Sequence, residues 1–158
     1  MQTQTTQGKP GSIVVKTLRF GDVEVPSAER ITLLRALAGF PDTKTLVMLT
    51  LADQAPFHWL QSVEQPPVAF AVLPVELVRP GYTLKLPPWD RGLWDRQSSP
   101  EILALISFQR DATMNLAAPL LLDPRHRVAL QVMNQAGYGL KEPLFGEAAA
   151  RPQVAATA

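Results

Sequence analysis

His58 lies four residues before Ser62 and five after Asp53, so the residue types of a nucleophilic triad fall within one short stretch. Their spacing argues against that chemistry. The residues between them read as a strand, in which positions 58 and 62 share a face but stand about 13 Å apart, too far for an imidazole to take a hydroxyl proton directly. No Gly-x-Ser-x-Gly elbow presents the Ser62 hydroxyl at a sharp turn. A metal site fares no better, because His58 and His126 are the only two histidines, neither has a second ligand at His-x-x-x-His spacing, and there is no cysteine. Gly137-Tyr138-Gly139 is too short, and lacks the following helix signal, to cradle a phosphate. Arg125-His126-Arg127 has the charge to touch one, but a lone basic turn in a chain of net charge +1 reads as a solvated loop, with His126 a turn residue. Neither a catalytic residue, a metal ligand nor a cofactor is expected.

Recognition is the chemistry that remains. The stretch from Pro56 to Pro66 places Phe57, Trp59 and Gln61 at alternate positions, followed by Ser62 and Glu64. If it is a strand, one alternating set packs the core, the commoner fate of large aromatics. The alternative is that its rim forms part of a protein-binding surface, where Trp and Tyr tend to anchor contacts. A second block, Met114 to Leu122, brings Met114, Asn115 and Pro119 as further candidate contacts, although Asn115 is also the residue type that fixes a bulge or loop through its amide. From Asp42 to Glu76 four acids face Lys44 alone, a net of −3, so this segment would prefer a basic partner unless the acids are scattered over wet loops.

These blocks must be positioned by one domain. A chain of 158 residues with 46% hydrophobic and 18% charged content has apolar material for a single core. It contains no apolar run long enough to cross a bilayer, and Met1 to Ser12 has no apolar targeting segment. The absence of cysteine fits a reducing cytoplasm. Residues 1–11 and 146–158 lack apolar periodicity and read as disordered tails flanking a folded part over 12–145.

Within that part, short apolar runs punctuated by Pro and Gly read as sheet. Ile13 to Leu18 and Val23 to Val25 form an opening hairpin about Gly21, and Ala28 to Ala38 a strand followed by a loop. Thr45 to Leu51 is apolar on both alternating sets, which predicts a central strand covered on both faces. Phe57 to Val63 and Val68 to Val72 pair across Pro66-Pro67. Tyr82 to Leu86 is a further strand candidate, Pro87 to Gly92 breaks regular structure, and Ser98 with Glu101 suggests a capped helical turn. Ile102 to Phe108, Leu116 to Leu122 and Arg127 to Met133 complete the set. The last two pair antiparallel through Asp123 to His126, and the final strand should have one wet face. The fold class expected is mainly all-β: a small barrel of about nine short, mostly antiparallel strands with one or two short helical turns.

Pro56 to Val63 resembles the PFxWLQSV core of the flagellar assembly factor FliW family. Pro66 with Ala69-Phe70, Asn115-Leu116 with Ala118-Pro119, and Gln131-Val132 extend the similarity from about Thr17 to Phe145. Of the family's FPxGLPGF loop only Gly39-Phe40 is kept, and this chain is near neutral where the family is acidic. The resemblance implies a cytoplasmic, non-enzymatic β-barrel that binds newly made flagellin and also the RNA-binding carbon storage regulator CsrA. Export empties the factor of flagellin, and the freed factor captures the regulator and releases flagellin messenger RNA for translation. Neither direct nucleic-acid binding nor a membrane is implied. The rival reading is a small nucleic-acid-binding barrel that uses Arg125, Arg127 and exposed aromatics. A hydrolase built on Ser62 is the third.

Overall fold

The computed structural model describes residues 10–94 and 99–145. Pro10 and Gly11, assigned above to the first tail, are within it, and Gly11 accepts a backbone hydrogen bond from Ser27 (2.8 Å). The remainder of both expected tails, and Ser98 of the capping pattern, lie outside the described residues.

The chain opens with the hairpin β1 (Ser12–Thr17) and β2 (Gly21–Pro26), paired antiparallel from Ser12↔Pro26 to Thr17↔Gly21. A 3-10 turn, Ser27–Glu29, leads into β3 (Ile31–Leu33). A meander follows: β4 (Thr45–Thr50), β5 (His58–Ser62), β6 (Ala69–Pro74), the one-turn helix α1 (Val75–Val78), helix α2 (Pro88–Leu93), β7 (Glu101–Ser107) and β8 (Thr113–Asp123). Last come β9 (Val128–Gln131) and the two-residue β10 (Glu142–Pro143). The sheet order β8-β7-β6-β5-β4-β3-β9 closes when β9 pairs back onto β8, giving a seven-stranded barrel with β10 added beside β8. All pairings are antiparallel except β3 with β9, which run parallel through Thr32↔Val128 and Leu33↔Ala129.

Period-2 alternation fills the inside. Ile31, Leu33, Leu46, Leu60, Val72, Leu103, Leu120, Leu122 and Ala129 form one buried cluster drawn from all seven strands. The outer face is covered as well. The β1–β2 hairpin lays Val15 and Val25 over Val47, Leu49, Trp59 and Ala71, while Trp94, Leu84 and Leu86 cover Leu121, Leu130 and Val132. This double cover is why Leu46 and Val47, adjacent in β4, are both fully buried, as the apolar run predicted. It also corrects the expectation of a wet face on the last strand: Ala129 and Leu130 are both fully buried, one in the barrel and one beneath Trp94. At about 1.5–3 kcal/mol per buried large aliphatic, two covered faces roughly double what such a strand contributes.

Three other expectations are corrected. Tyr82 to Leu86 joins no ladder: Lys85 N–H donates to Asn134 Oδ1 (2.8 Å), Thr83 N–H to the Tyr138 hydroxyl (3.0 Å), and Lys85 O accepts a single backbone bond from Gln135 N–H (2.9 Å). Pro87 to Gly92 does not stay irregular; Pro88 occupies the first helical turn of α2, where its fixed φ and missing N–H cost nothing. Glu101 opens a strand rather than a helical turn, pairing with Leu122.

Strand β8 carries a large bulge. Between Leu103↔Leu120 and Leu105↔Asn115, two steps along β7 are matched by five along β8, leaving three extra residues. Asn115 Oδ1 accepts the Ala118 N–H (2.9 Å), and Leu116 and Ala117 both donate to Gly139 O (3.1 Å each), so the bulge's backbone finds partners.

Candidate functional site

The triad residue types do not meet. Ser62 is fully buried, its Oγ taking part in a hydrogen bond with Thr43 Oγ1 (3.1 Å) and accepting one from Gln65 N (3.0 Å). His58 sits at the other end of β5 with Nδ1 2.8 Å from Thr50 Oγ1. It lines a separate cleft of about 480 Å³ with Met48, Glu76 and Glu101. Among the described residues no cluster of His, Asp or Glu has the makings of a metal site.

The recognition candidates divide into buried and exposed. Trp59 is 8% exposed, edge-on to Phe20 (5.6 Å between centroids) and under the Arg19 guanidinium (4.4 Å). Its indole N–H donates to Gln54 Oε1 (2.6 Å). Trp59 therefore pins the β1–β2 hairpin to the barrel. Gln61, Met114 and Pro119 are also buried, and Gln61 Nε2 donates to the Ser62 and Pro66 carbonyls (3.0 and 3.2 Å). Phe57, Glu64 and Asn115 keep access to solvent. Phe57 stacks edge-on with exposed Phe108 (5.5 Å). Glu64 Oε1 accepts the N–H groups of Lys44 and Thr45 (2.9 and 2.8 Å). Burial opposes ionisation of Glu64, but these backbone donors outweigh it and hold the carboxyl below its ordinary value. The acid thus clamps the β4 entrance. The two sequence blocks are not brought together, since β6 and β7 separate β5 from β8.

Asn115 instead borders a groove that sequence reasoning missed. Arg35, just beyond β3, donates through Nη1 to Asp90 Oδ1 (2.9 Å) and through Nη2 to the Gln131 carbonyl (2.7 Å). Gln131 returns the tie, its Oε1 accepting Ala38 N–H (3.2 Å) while its Nε2 donates to Ala118 O in the bulge (3.2 Å). These bonds lock the β3–β4 loop, α2, β8 and β9 around a groove of about 440 Å³. Asp90 lies in it fully buried, and among the described residues its Oδ2 has no hydrogen-bond partner. A buried acceptor left unpaired costs about 1–3 kcal/mol, which a ligand's donor would recover. Around the groove stand Trp89, Met133 and Leu140, respectively 65%, 54% and 60% exposed. An apolar rim around one waiting acceptor suits a protein segment that offers a small apolar side chain next to a neutral donor. The available sequence signal was Trp89 beside two prolines; the contact of Arg35 with Asp90 spans 55 positions and has no local pattern.

The sequence profile of the FliW protein family matches residues 14–144. The flagellar assembly factor FliW of Geobacter sulfurreducens is 35% identical over 141 residues, covering 85% of this chain and 88% of that protein. The flagellar assembly factor FliW of Bdellovibrio bacteriovorus is 32% identical over 139 residues, covering 84% and 79%. Among solved structures, a crystal structure of the flagellar assembly factor FliW superposes with a TM-score of 0.76 at 24% identity, covering 85% of this chain and 98% of that one, and carries the same fold. With the profile spanning most of the chain and relatives above 30% identity along most of its length, this protein belongs to the FliW family of flagellar assembly factors.

Proposed function

We propose that this protein works by reversible protein binding alone, holding flagellin in the cytoplasm and, when flagellin leaves, capturing the regulator CsrA so that flagellin messenger RNA is translated. The observation that carries the reading is the groove over Asp90: a buried carboxylate oxygen without a donor, ringed by exposed Trp89, Met133 and Leu140. Such a surface stabilises a docked segment through apolar burial at its centre and one oriented hydrogen bond. Of the residues singled out by sequence, Asn115 belongs to this surface, while partly buried Phe57 and exposed Glu64 lie elsewhere on the barrel.

The chain's net charge of +1 gives little long-range attraction to a basic partner. Capture of the regulator therefore depends on contact complementarity, and its affinity should vary weakly with salt. The test is retention of purified flagellin and purified CsrA by the tagged full chain. Both should bind, and flagellin should displace the regulator. If neither is retained, the reading fails whatever the fold.

A further inference from the structure

The turn between β8 and β9 is pinned by one side chain. Asp123 Oδ1 accepts the N–H groups of Arg125 and His126 (3.0 and 3.1 Å), and Oδ2 accepts from His126 Nδ1 (2.8 Å). The turn closes with Arg127 N–H on Asp123 O (2.9 Å), and this forces Arg127 into the left-handed region at φ 55°. That conformation suits Gly or Asn and costs other residues roughly 1–2 kcal/mol. Arginine here is locally unfavourable, so its side chain is the feature to explain.

The Arg127 side chain leaves most of its donors unused. Nη2 donates to the Glu29 carbonyl (2.6 Å), and Nε is buried without an acceptor among the described residues. Across from it Arg30 is held by one bond, Nε to Ser27 O (3.1 Å). Between the two lies a cleft of about 300 Å³ lined by Ser27, Arg30, Thr32, Thr45, His126 and Arg127. Thr32 and Thr45 are direct cross-strand partners. Two guanidinium groups, an imidazole and three hydroxyls surround this space, and among the described residues no carboxylate lines it.

We propose that this cleft binds a single phosphoryl group, as inorganic phosphate or a phosphate monoester. Guanidinium forks match tetrahedral oxyanions through charge-assisted hydrogen bonds, and hydroxyls complete the shell. A nucleic-acid strand is the weaker match. It needs a run of phosphate contacts and stacking aromatics, whereas this cleft is a compact cluster with no Phe, Tyr or Trp among the described residues that line it.

The test titrates the ¹⁵N-labelled full chain with inorganic phosphate and, separately, adenosine monophosphate, following arginine Nε–H signals. A saturable shift of the Arg127 signal is expected. Arg127→Gly, which the left-handed backbone accommodates, should abolish the response with the amide spectrum otherwise kept. Arg30→Ala and the isosteric Thr32→Val should each weaken binding at least about ten-fold. Equal response to both probes identifies a bare phosphoryl ligand; tighter binding of the nucleotide identifies an ester. No saturable shift with either probe, or a response that survives in folded Arg127→Gly, overturns the proposal. So does salt-sensitive binding of single-stranded RNA that also requires Arg125, which would make the cleft part of a polyanion track.

Discussion

The barrel's one parallel pair, β3 with β9, has a different surface at each end. At the start of both strands, Arg30 and Arg127 bring more donors than the fold consumes. Where both strands finish, Arg35 and Gln131 are each tied into the fold by two hydrogen bonds, and the buried group left over is an acceptor, Asp90 Oδ2, within an apolar rim. Because antiparallel neighbours would mix strand starts and ends at each rim, the parallel closure is what separates the two characters. Unused polar capacity of opposite sign points to ligands of opposite kind: an oxyanion at one end and a donor-bearing apolar segment at the other.

The sharpest way to break this contrast is at the ion pair. Arg35→Ala leaves Asp90 buried without its cation and should cost about 2–4 kcal/mol in urea unfolding, below the full value of a buried pair because Arg35 is partly exposed. The double variant Arg35→Met/Asp90→Leu should recover much of that loss while abolishing partner binding. A variant pair with equal unfolding midpoints would show that the two side chains do not depend on each other.

Trp89→Ala tests the rim alone. Its side chain is largely exposed, so stability should stay within about 0.5 kcal/mol while flagellin affinity falls by about 2 kcal/mol, a loss calorimetry can read directly. Wild-type binding with an unaffected Trp89→Ala would move the docking surface elsewhere and leave the family function standing. Asn115→Ala removes the bond that shapes the bulge bordering the groove and should destabilise by about 1 kcal/mol. Its partner affinity should drop with it.

The smallest effect lies at the cationic end. Burial opposes ionisation of Asp123, but the hydrogen bonds from His126 and the turn's N–H groups prevail and lower its pKa from 3.8. A carboxyl depressed in the folded state contributes stability that is fully present above its unfolded value and lost as pH falls through the folded one. The stability gap between wild type and Asp123→Asn should therefore be constant near neutrality and close only in acid, below 3.8. A gap that already closes near neutrality would show that the Asp123 carboxyl is not the group responsible.

Much of the barrel was legible because its strands announce themselves locally. The double apolar set of β4, the Pro66-Pro67 connection and the Asp123 to His126 turn each fixed an element without reference to distant residues. The misses share a cause. Tyr82 to Leu86 looks like a strand, but its hydrogen bonds go to Asn134 and Tyr138, about fifty residues on. The β9 alternation reads as one wet face because the set that turns into the barrel offers only small Ala129 between Arg127 and Gln131, while the apolar Leu130 and Val132 lie on the other face beneath Trp94. The recognition blocks were visible as motifs, yet Trp59, Gln61, Met114 and Pro119 are buried in the scaffold. What borders the groove comes from loops whose meeting only barrel closure decides.

That closure has a consequence during synthesis. β3 can add to β4 as soon as the meander emerges from the ribosome, but its other neighbour, β9, is translated nearly a hundred positions later, so the seam is a high contact-order event and forms late. Arg35 meets Gln131 only across that seam. A nascent or partly unravelled molecule consequently lacks the groove, and if the groove is the docking surface proposed above, competence to capture a partner doubles as proof that the chain has finished folding.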